Sequence, residues 1–419
     1  LLAAAQSAHF GVFAILLIFC HSEPEGRGDL LKSSWFILAP IVWVVVEFLY
    51  PHLFPSYFAN SQYAWTPLVQ MADITGVLGI SFLLVLVNAA LFVALERWLA
   101  ERCVTWRPLA LATMLMMIAL VYGYARLSSI EGRAIAAPQL NVGIVQANIG
   151  IFEKRDKVQD ALQLHLQGSQ MLEQQGVQLL VWPETAVTNP ALMAGSDHAP
   201  EGLAGQLKVP LLTGIYERTP DVDPAVDYNT AVLMMPDGSL AGRYRKQVLL
   251  PFGEFIPFGE WFPKLYDLAP TIGRFTRGSS HEPIQFGGLS FGVTICYEDI
   301  LPRLVRKIAL HDPALLVNIT NDSWFGDTRE PMIHLALATF RAIEHRRALV
   351  RATNTGISAI IDPAGRIVEQ TPTFQQALIL SSVPLLQGRT IYGILGDWVG
   401  YLSLGMLTYI MIRRWAWRM

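Results

Sequence analysis

Three residues of different chemical type stand beside apolar runs in the second half of the chain. Glu184 ends Val181-Trp182-Pro183-Glu184. Lys246 ends Arg243-Tyr244-Arg245-Lys246 and is followed by Pro251-Phe252-Gly253-Glu254. Cys296 lies within Gly292-Val293-Thr294-Ile295-Cys296-Tyr297-Glu298-Asp299. A carboxylate, an ammonium and a thiol are a sufficient set for covalent acyl transfer: the base takes the thiol proton, the thiol attacks, and the cation faces the oxyanion. Singly, each has a plainer reading, as a surface acid after a strand, a solvated basic face and a buried apolar filler. Together, in one block, they point to a cysteine nucleophile.

The elements that must position them follow from the pattern. Pro183 stops a ladder and leaves Glu184 at the strand's C-terminal edge. The run from Val248 into Phe258 would bury Lys246 and Glu254, and buried charges need partners. A strand ending at Cys296 and turning into a helix from about Leu301 places sulfur near a helix N-terminus, which favours the thiolate and offers backbone N–H groups to an oxyanion. Further strand-like runs are Leu140–Gln146, Val177–Trp182, Pro210–Tyr216, Leu289–Ile295, Ala314–Thr320 and Ile357–Ile361. Helical patterns span Lys157–Gln175, Leu301–His311 and Pro331–Arg351. Pro236-Asp237-Gly238 and Pro363-Ala364-Gly365 each read as a hairpin turn. Strands alternating with helices predict an α/β sandwich. His281, His311, His334 and His345 are scattered, and His345 reads as a surface residue of a basic helix.

Composition adds a second part. Of 419 residues 52% are hydrophobic and 16% charged, against about 25% charged in ordinary soluble domains. Net charge is −3, which argues against a nucleic-acid binder. The apolar residues gather in Leu1–Cys20, Trp35–Tyr50, Leu68–Leu95, Pro108–Ala125 and Ile391–Ile412, each read as a membrane helix. Their acids Glu47, Asp73 and Asp397 are expected to snorkel to the interface. The expected layout is a membrane domain at 1–130, a catalytic domain at 131–389, and a closing helix with its tail at 390–419.

Arg97, Arg102 and Arg107 in one loop, and Arg413, Arg414 and Arg418 in the tail, put those segments in the cytoplasm, because the Pro51–Pro67 connection has no Lys or Arg. The large block then lies outside. Residue 1 falls on the outer side and the sequence opens without Met, so with a cytoplasmic native N-terminus an odd number of preceding helices is expected to be missing. Cys296 is the one thiol of the outer block. It forms no metal-ligand spacing with Cys20 or Cys103, and no cofactor or metal is expected.

The ordered motifs, with 62 and 50 residues between Glu184, Lys246 and Cys296, resemble the Glu-Lys-Cys triad of the nitrilase superfamily. With flanking membrane helices, and with Tyr228-Asn229-Thr230, Asn321-Asp322-Ser323-Trp324-Phe325-Gly326 and Asn354-Thr355-Gly356-Ile357, the chain resembles the apolipoprotein N-acyltransferase family. The resemblance implies a nitrilase-like α-β-β-α sandwich, with Glu184 as general base, Lys246 as oxyanion cation and Cys296 as nucleophile. It implies that Glu254, Tyr297 and Glu298 support them and that Trp324 and Phe325 lie at the mouth. It further implies a phospholipid acyl donor, typically phosphatidylethanolamine, and a diacylglyceryl apolipoprotein whose N-terminal amine is the acceptor. The enzyme would be a monomer in the bacterial inner membrane with its catalytic domain in the periplasm.

The chain departs from the family pattern at Ala147, at Arg155 in a Trp position and at Ile333 in a Gln position, all concerned with how substrates are gripped. Two other classes stay open on sequence: a membrane-anchored amidase for small amides, and a non-catalytic membrane binding protein working through Glu47, Asp73 and Asp397.

Overall fold

The computed structural model describes residues 2–21, 35–150, 158–193, 195–199, 202–219, 226–270 and 272–418. Arg155 lies outside them. The chain divides into two units, one made of Leu1–Gly132, Ile343–Arg346 and Arg389–Met419, the other of Arg133–Ala342 and Arg347–Gly388.

The first unit is helical. Its helices are α1 (Leu2–His21), α2 (Trp35–Leu49), α3 (Ala72–Glu101) and α4 (Trp106–Ala136, continuing past the unit boundary). Among the described residues α3 and α4 are long and apolar enough to cross a membrane, while Ala8–Ile18 and Phe36–Leu49 are shorter apolar helical stretches. Two expected spans are interrupted. The Leu68–Leu95 run is a single turn at Thr66–Val69 followed by α3, which kinks where Gly76 takes φ +63°. The Ile391–Ile412 run is two helices, a short one at Ile391–Leu395 and a longer one from Trp398, parted at Gly396 with φ +65°. A glycine accepts that left-handed conformation without the Cβ penalty, so both breaks fall on one.

The acids of this unit correct the snorkelling expectation. Asp73 is buried and accepts from Arg126 Nε (2.7 Å), Arg346 Nε (3.0 Å) and Tyr122 OH (2.7 Å). Glu47, also buried, accepts from the Phe58 N–H at 2.6 Å. Internal partners replace the interface as the source of hydrogen bonds. His345 is likewise buried rather than on the surface.

The second unit is built on two sheets. The first contains β1 (Gln139–Gln146), β2 (Leu179–Val181), β3 (Val187–Met193), β4 (Leu211–Thr219), β5 (Val226–Met234), β6 (Leu240–Arg245) and, from the end of the unit, β13 (Ala377–Pro384). The second contains β7 (Ile284–Phe286), β8 (Leu289–Ile295), β9 (Leu315–Thr320), β10 (Leu349–Thr353), β11 (Ala359–Ile361) and β12 (Ile367–Gln370). Their orders are β13-β1-β2-β4-β5-β6, with β3 also on β4, and β12-β11-β10-β9-β8-β7. The central strands β1, β2 and β4 run parallel, as do β8, β9 and β10. They read as continuous apolar runs because both faces are covered.

Ile144, Val181, Leu212 and Leu233 of one sheet pack against Val293, Ile295, Val317 and Val350 of the other. Each such side chain contributes about 1.5–3 kcal/mol through burial. On the outer faces, Leu166 and Leu172 of α5 (Val158–Glu173) cover the first sheet. Val305 of α6 (Pro302–Ala309) and Leu335 and Ala338 of α7 (Glu330–His345) cover the second. This is the expected α-β-β-α sandwich, and both expected hairpins are present, as β5–β6 and β11–β12.

One boundary differs. The sequence predicts helix through Arg351, but α7 stops at His345, Arg346 takes φ +53°, and Leu349–Thr353 is a central strand. The basic pair Arg346-Arg347 mimics a helix's last turn, while the β-branched residues after it pair with β9.

Candidate active site

Glu184 is placed by the end of β2. Trp182 is fully buried and its indole N–H donates to Ser169 Oγ at 2.9 Å, locking the strand end under α5. Pro183 keeps one ladder contact, accepting from the Gly214 N–H at 3.2 Å. Thr185 then turns the chain with φ +50°. This turn lies so close to β4 that a Cβ on Gly214 would stand 2.5 Å from the Thr185 nitrogen and 2.7 Å from the Glu184 Cα.

Lys246 follows β6 directly. Its N–H closes the sheet ladder on the Asn229 carbonyl at 2.9 Å, which turns the side chain inward, 2% exposed. Its Nζ donates to Glu254 Oε1 at 2.9 Å and to Glu184 Oε1 at 3.3 Å. Glu254 is held in turn by the Leu250 N–H on Oε2 at 2.9 Å. Lys246 and Glu254 are therefore paired, as burial requires.

Cys296 follows β8 and takes φ +57°, opening a short turn at Cys296–Ile300. Asn318 Nδ2 on β9 donates to its carbonyl at 2.9 Å. Glu298 is fully buried and binds four donors: the Gln247 and Val248 N–H groups on Oε1 (2.7 and 2.9 Å), and the Ile295 N–H and Tyr244 OH on Oε2 (both 2.9 Å). It thereby ties the segment after Lys246 to the strand before Cys296. Tyr297 donates its OH to the Leu249 carbonyl at 3.0 Å, and its ring centroid lies 5.7 Å from Lys246 Nζ.

Electrostatics correct one expectation. Cys296 opens the short 3-10 helix Cys296–Ile300, and α6 begins at Pro302, close to the expected Leu301, but the lowering of the thiol expected from a helix start is outweighed. Burial, then the Glu184 carboxylate, push the thiol up; Lys246 pulls it down, and the thiol ends well above its ordinary value. Burial lowers Lys246, but negative charge on Cys296, Glu184, Glu254 and Glu298 more than offsets it, so the ammonium is held well above its usual range. Burial raises Glu298 to about 7 against the pull of its backbone donors and Lys246. The resting site is thus a thiol facing a fixed ammonium and a carboxylate.

The structure brings Glu184, Lys246, Glu254, Tyr297, Glu298 and Cys296 together. Trp324 lies in the turn Asp322–Phe325 and is 73% exposed, while Phe325 is half-buried. Ile333 is exposed. Among the described residues no group of His, Cys, Asp or Glu could hold a metal ion.

Sequence reasoning missed Asn229. From β5 its Nδ2 donates to Glu184 Oε1 at 2.7 Å and to Glu254 Oε1 at 3.0 Å, bridging the two carboxylates that share Lys246. It was visible only as part of Tyr228-Asn229-Thr230. Also missed were Gly214 and a buried charged ring of Asp299, His334, Asp322 and Arg351, whose members stand far apart in the sequence.

Residues 141–390 match the carbon-nitrogen hydrolase family, and residues 1–90 match the N-terminal domain of apolipoprotein N-acyltransferase. An apolipoprotein N-acyltransferase of Geobacter metallireducens is 33% identical over 93% of this chain and 76% of its own length. One of Azotobacter vinelandii is 35% identical over 87% of this chain and 70% of its own length. A solved carbon-nitrogen hydrolase of Helicobacter pylori G27 aligns with a TM-score of 0.43 at 18% identity, over 59% of this chain and 89% of its own. The chain belongs to the apolipoprotein N-acyltransferase family, and its residues 141–390 are a carbon-nitrogen hydrolase domain.

Proposed function

We propose that this protein transfers an acyl chain from a phospholipid to the N-terminal amine of the S-diacylglyceryl cysteine of an apolipoprotein, through a thioester on Cys296. The single observation that carries the reading is the convergence of Lys246, Glu184 and Cys296 at the ends of β6, β2 and β8, with the ammonium hydrogen-bonded to the carboxylate and electrostatically coupled to the thiol. Family membership supports acyl transfer over the small-amide and non-catalytic alternatives.

In the first half-reaction Glu184 takes the Cys296 proton as sulfur attacks the ester carbonyl of the donor. Because burial and the nearby carboxylate hold the thiol up, little thiolate exists beforehand, and proton removal accompanies attack. Lys246, kept charged, faces the developing oxyanion. Collapse breaks the C–O bond, and Glu184 returns the proton to the departing alkoxide, releasing lysophospholipid. In the second half-reaction the neutral amine attacks the thioester, Glu184 accepts an amine proton, the C–S bond breaks and Cys296 is reprotonated. Glu254 and Asn229 hold Glu184 and Lys246 in register. Tyr297 and Glu298 fix the elbow, and Trp324 and Phe325 stand where lipid chains enter.

Phosphatidylethanolamine is the proposed donor, and the enzyme is proposed to act as a monomer. Residues 1–130 and 390–419 form the proposed membrane domain in the bacterial inner membrane, with residues 131–389 on the periplasmic side.

Intact-mass measurement after incubation with defined phosphatidylethanolamine tests the reading. One acyl increment mapped to Cys296, absent in Cys296→Ala, is expected. An increment on another residue, or none, would overturn it.

A further inference from the structure

Behind the nucleophile lies a closed ring of charges that the mechanism above does not use. His334 Nε2 meets Asp299 Oδ1 at 2.8 Å and its Nδ1 meets Asp322 Oδ1 at 3.3 Å. Arg351 Nη2 donates to Asp322 Oδ2 at 3.0 Å, and its Nη1 closes the ring on Asp299 Oδ2. All four side chains are 3% exposed or less. The ring is also wired to the elbow. Asp299 stands three residues after Cys296. Arg351 Nη1 donates to Asn318 Oδ1 at 3.0 Å, and Asn318 Nδ2 donates to the Cys296 carbonyl at 2.9 Å. On its other side, Asp322 opens the turn that carries Trp324 and Phe325. Gly356 packs against it so closely that a Cβ there would meet Asp322 Oδ2 at 2.3 Å.

The charge state follows from geometry. Carboxylates only accept, so a histidine whose two ring nitrogens both face carboxylate oxygens donates from both and is an imidazolium. Two cations then balance two anions. A neutral His334 would leave one uncompensated negative charge in a dry site coupled to the thiol. We propose that this ring is a positioning device for the nucleophile: it fixes the Cys296 elbow to the Asp322–Phe325 turn, and its His334 imidazolium keeps the site behind the sulfur neutral. The proposal rests on Cys296 being the nucleophile of the function proposed above.

The charges that bear on the two groups are these. His334 faces Asp299, Asp322 and Arg351, with Glu330 on its own helix also felt. Burial and Arg351 pull His334 down, the two aspartates raise it, and it comes to about 9. Cys296 feels Glu184, Lys246, Glu254 and Asp322, and is coupled to Tyr297 and to Arg351 of the ring as well. Asp322 raises the thiol, so removing the imidazolium that offsets Asp322 should raise it further.

The test measures alkylation of Cys296 by iodoacetamide against pH, read on the Cys296 peptide by mass spectrometry, so the readout needs no acyl donor. In His334→Gln the alkylation profile should move alkaline by about one unit, the size expected for one nearby charge. In the double variant Asp299→Asn/His334→Gln, which restores neutrality with fewer charge-assisted bonds, it should return toward wild type. A merely structural ring would make the double variant worse. An unshifted profile in His334→Gln, or an equal shift in single and double, would overturn the proposal. Should His334→Gln not fold, the double variant is compared with Asp299→Asn, which leaves the ring one charge positive. The proposal then predicts a more acidic profile in Asp299→Asn than in the double, and equal profiles would overturn it. Failure of wild type to form an acyl-enzyme would refute the proposed function instead, and leaves these titrations readable.

Discussion

Replacing Gly214 by alanine tests whether the position of Glu184 sets the acylation rate. Gly214 has no left-handed φ, so alanine is conformationally acceptable there and the effect is steric. The new Cβ would stand 2.5 Å from the Thr185 nitrogen and 2.7 Å from the Glu184 Cα, where ordinary contact begins at 3.4 Å. Both obstacles are backbone atoms, so the turn carrying Glu184 must retreat by about 0.9 Å at its nearest point. A misplacement of about 1 Å can lower a rate about a hundredfold, while overpacking lowers stability by about 1–3 kcal/mol. The assay is single-turnover thioester formation by intact mass, alongside thermal unfolding in detergent. Gly143→Ala is the control. Its Cβ would meet only side-chain ends, Val177 Cγ2 at 2.8 Å and Leu172 Cδ1 at 2.9 Å, so it should lose stability and keep its acylation rate. If Gly214→Ala, folded, acylates within about threefold of wild type, the base is not placed by this turn and the geometric reasoning fails.

Three further outcomes follow from the same structure. Lys246→Met should slow acylation by about a hundred- to a thousandfold, the usual effect of losing an oxyanion donor. It should also lower the unfolding temperature, because Glu184 and Glu254 lose their shared cation; thermal unfolding in detergent checks this. Asn229→Ala should slow acylation by about ten- to a hundredfold, as befits loss of a donor to charged acceptors, and Asn229→Asp should in addition move the pH–rate profile alkaline by adding a third carboxylate. His334 is raised from its ordinary value of 6.5 to about 9, so its stabilisation is complete below about pH 6.5 and lost as pH rises through about 9. The unfolding temperature should fall across that window, and less so in His334→Gln.

The sandwich, and the gathering of Glu184, Lys246 and Cys296 at its strand ends, were legible because their signals are local. Apolar strands run straight into Glu184 and Cys296, Lys246 leads from a basic cluster into the apolar Val248-Leu249-Leu250, and Pro183 and the flanking motifs mark where the strands stop. The covering layers announce themselves as alternating runs. Asn229 and Gly214 carried no such signal, since their importance arises from the β4–β5 pairing that sets Asn229 opposite Tyr216 and from the turn packed against β4. The charged ring gathers residues from four elements, and only burial makes it conspicuous. Arg351 misled for a physical reason: a guanidinium in a central strand is costly unless paired, so a surface helix was the cheaper guess for a basic stretch. Glu47 and Asp73 misled similarly, because internal partners such as Arg346 cannot be seen from an apolar run. The thiol's electrostatics depend on its burial and on the Glu184 carboxylate beside it, neither of which strand-to-helix patterning can show.

The central claim, acyl transfer through Cys296 to an amine, is tested most directly by separating the two half-reactions. The protein is incubated with defined phospholipid alone, and the thioester on Cys296 is followed by intact mass. A diacylglyceryl peptide with a free N-terminal amine is then added, in parallel with the same peptide acetylated at that amine. The account predicts that the thioester accumulates to one equivalent and persists without acceptor. The free amine should then discharge it, faster from about pH 6 to 8 as the α-amino group becomes neutral, and the blocked peptide should leave it in place. Rapid hydrolysis of the thioester without acceptor, or equal discharge by the blocked peptide, would contradict the account and make the site that of a hydrolase.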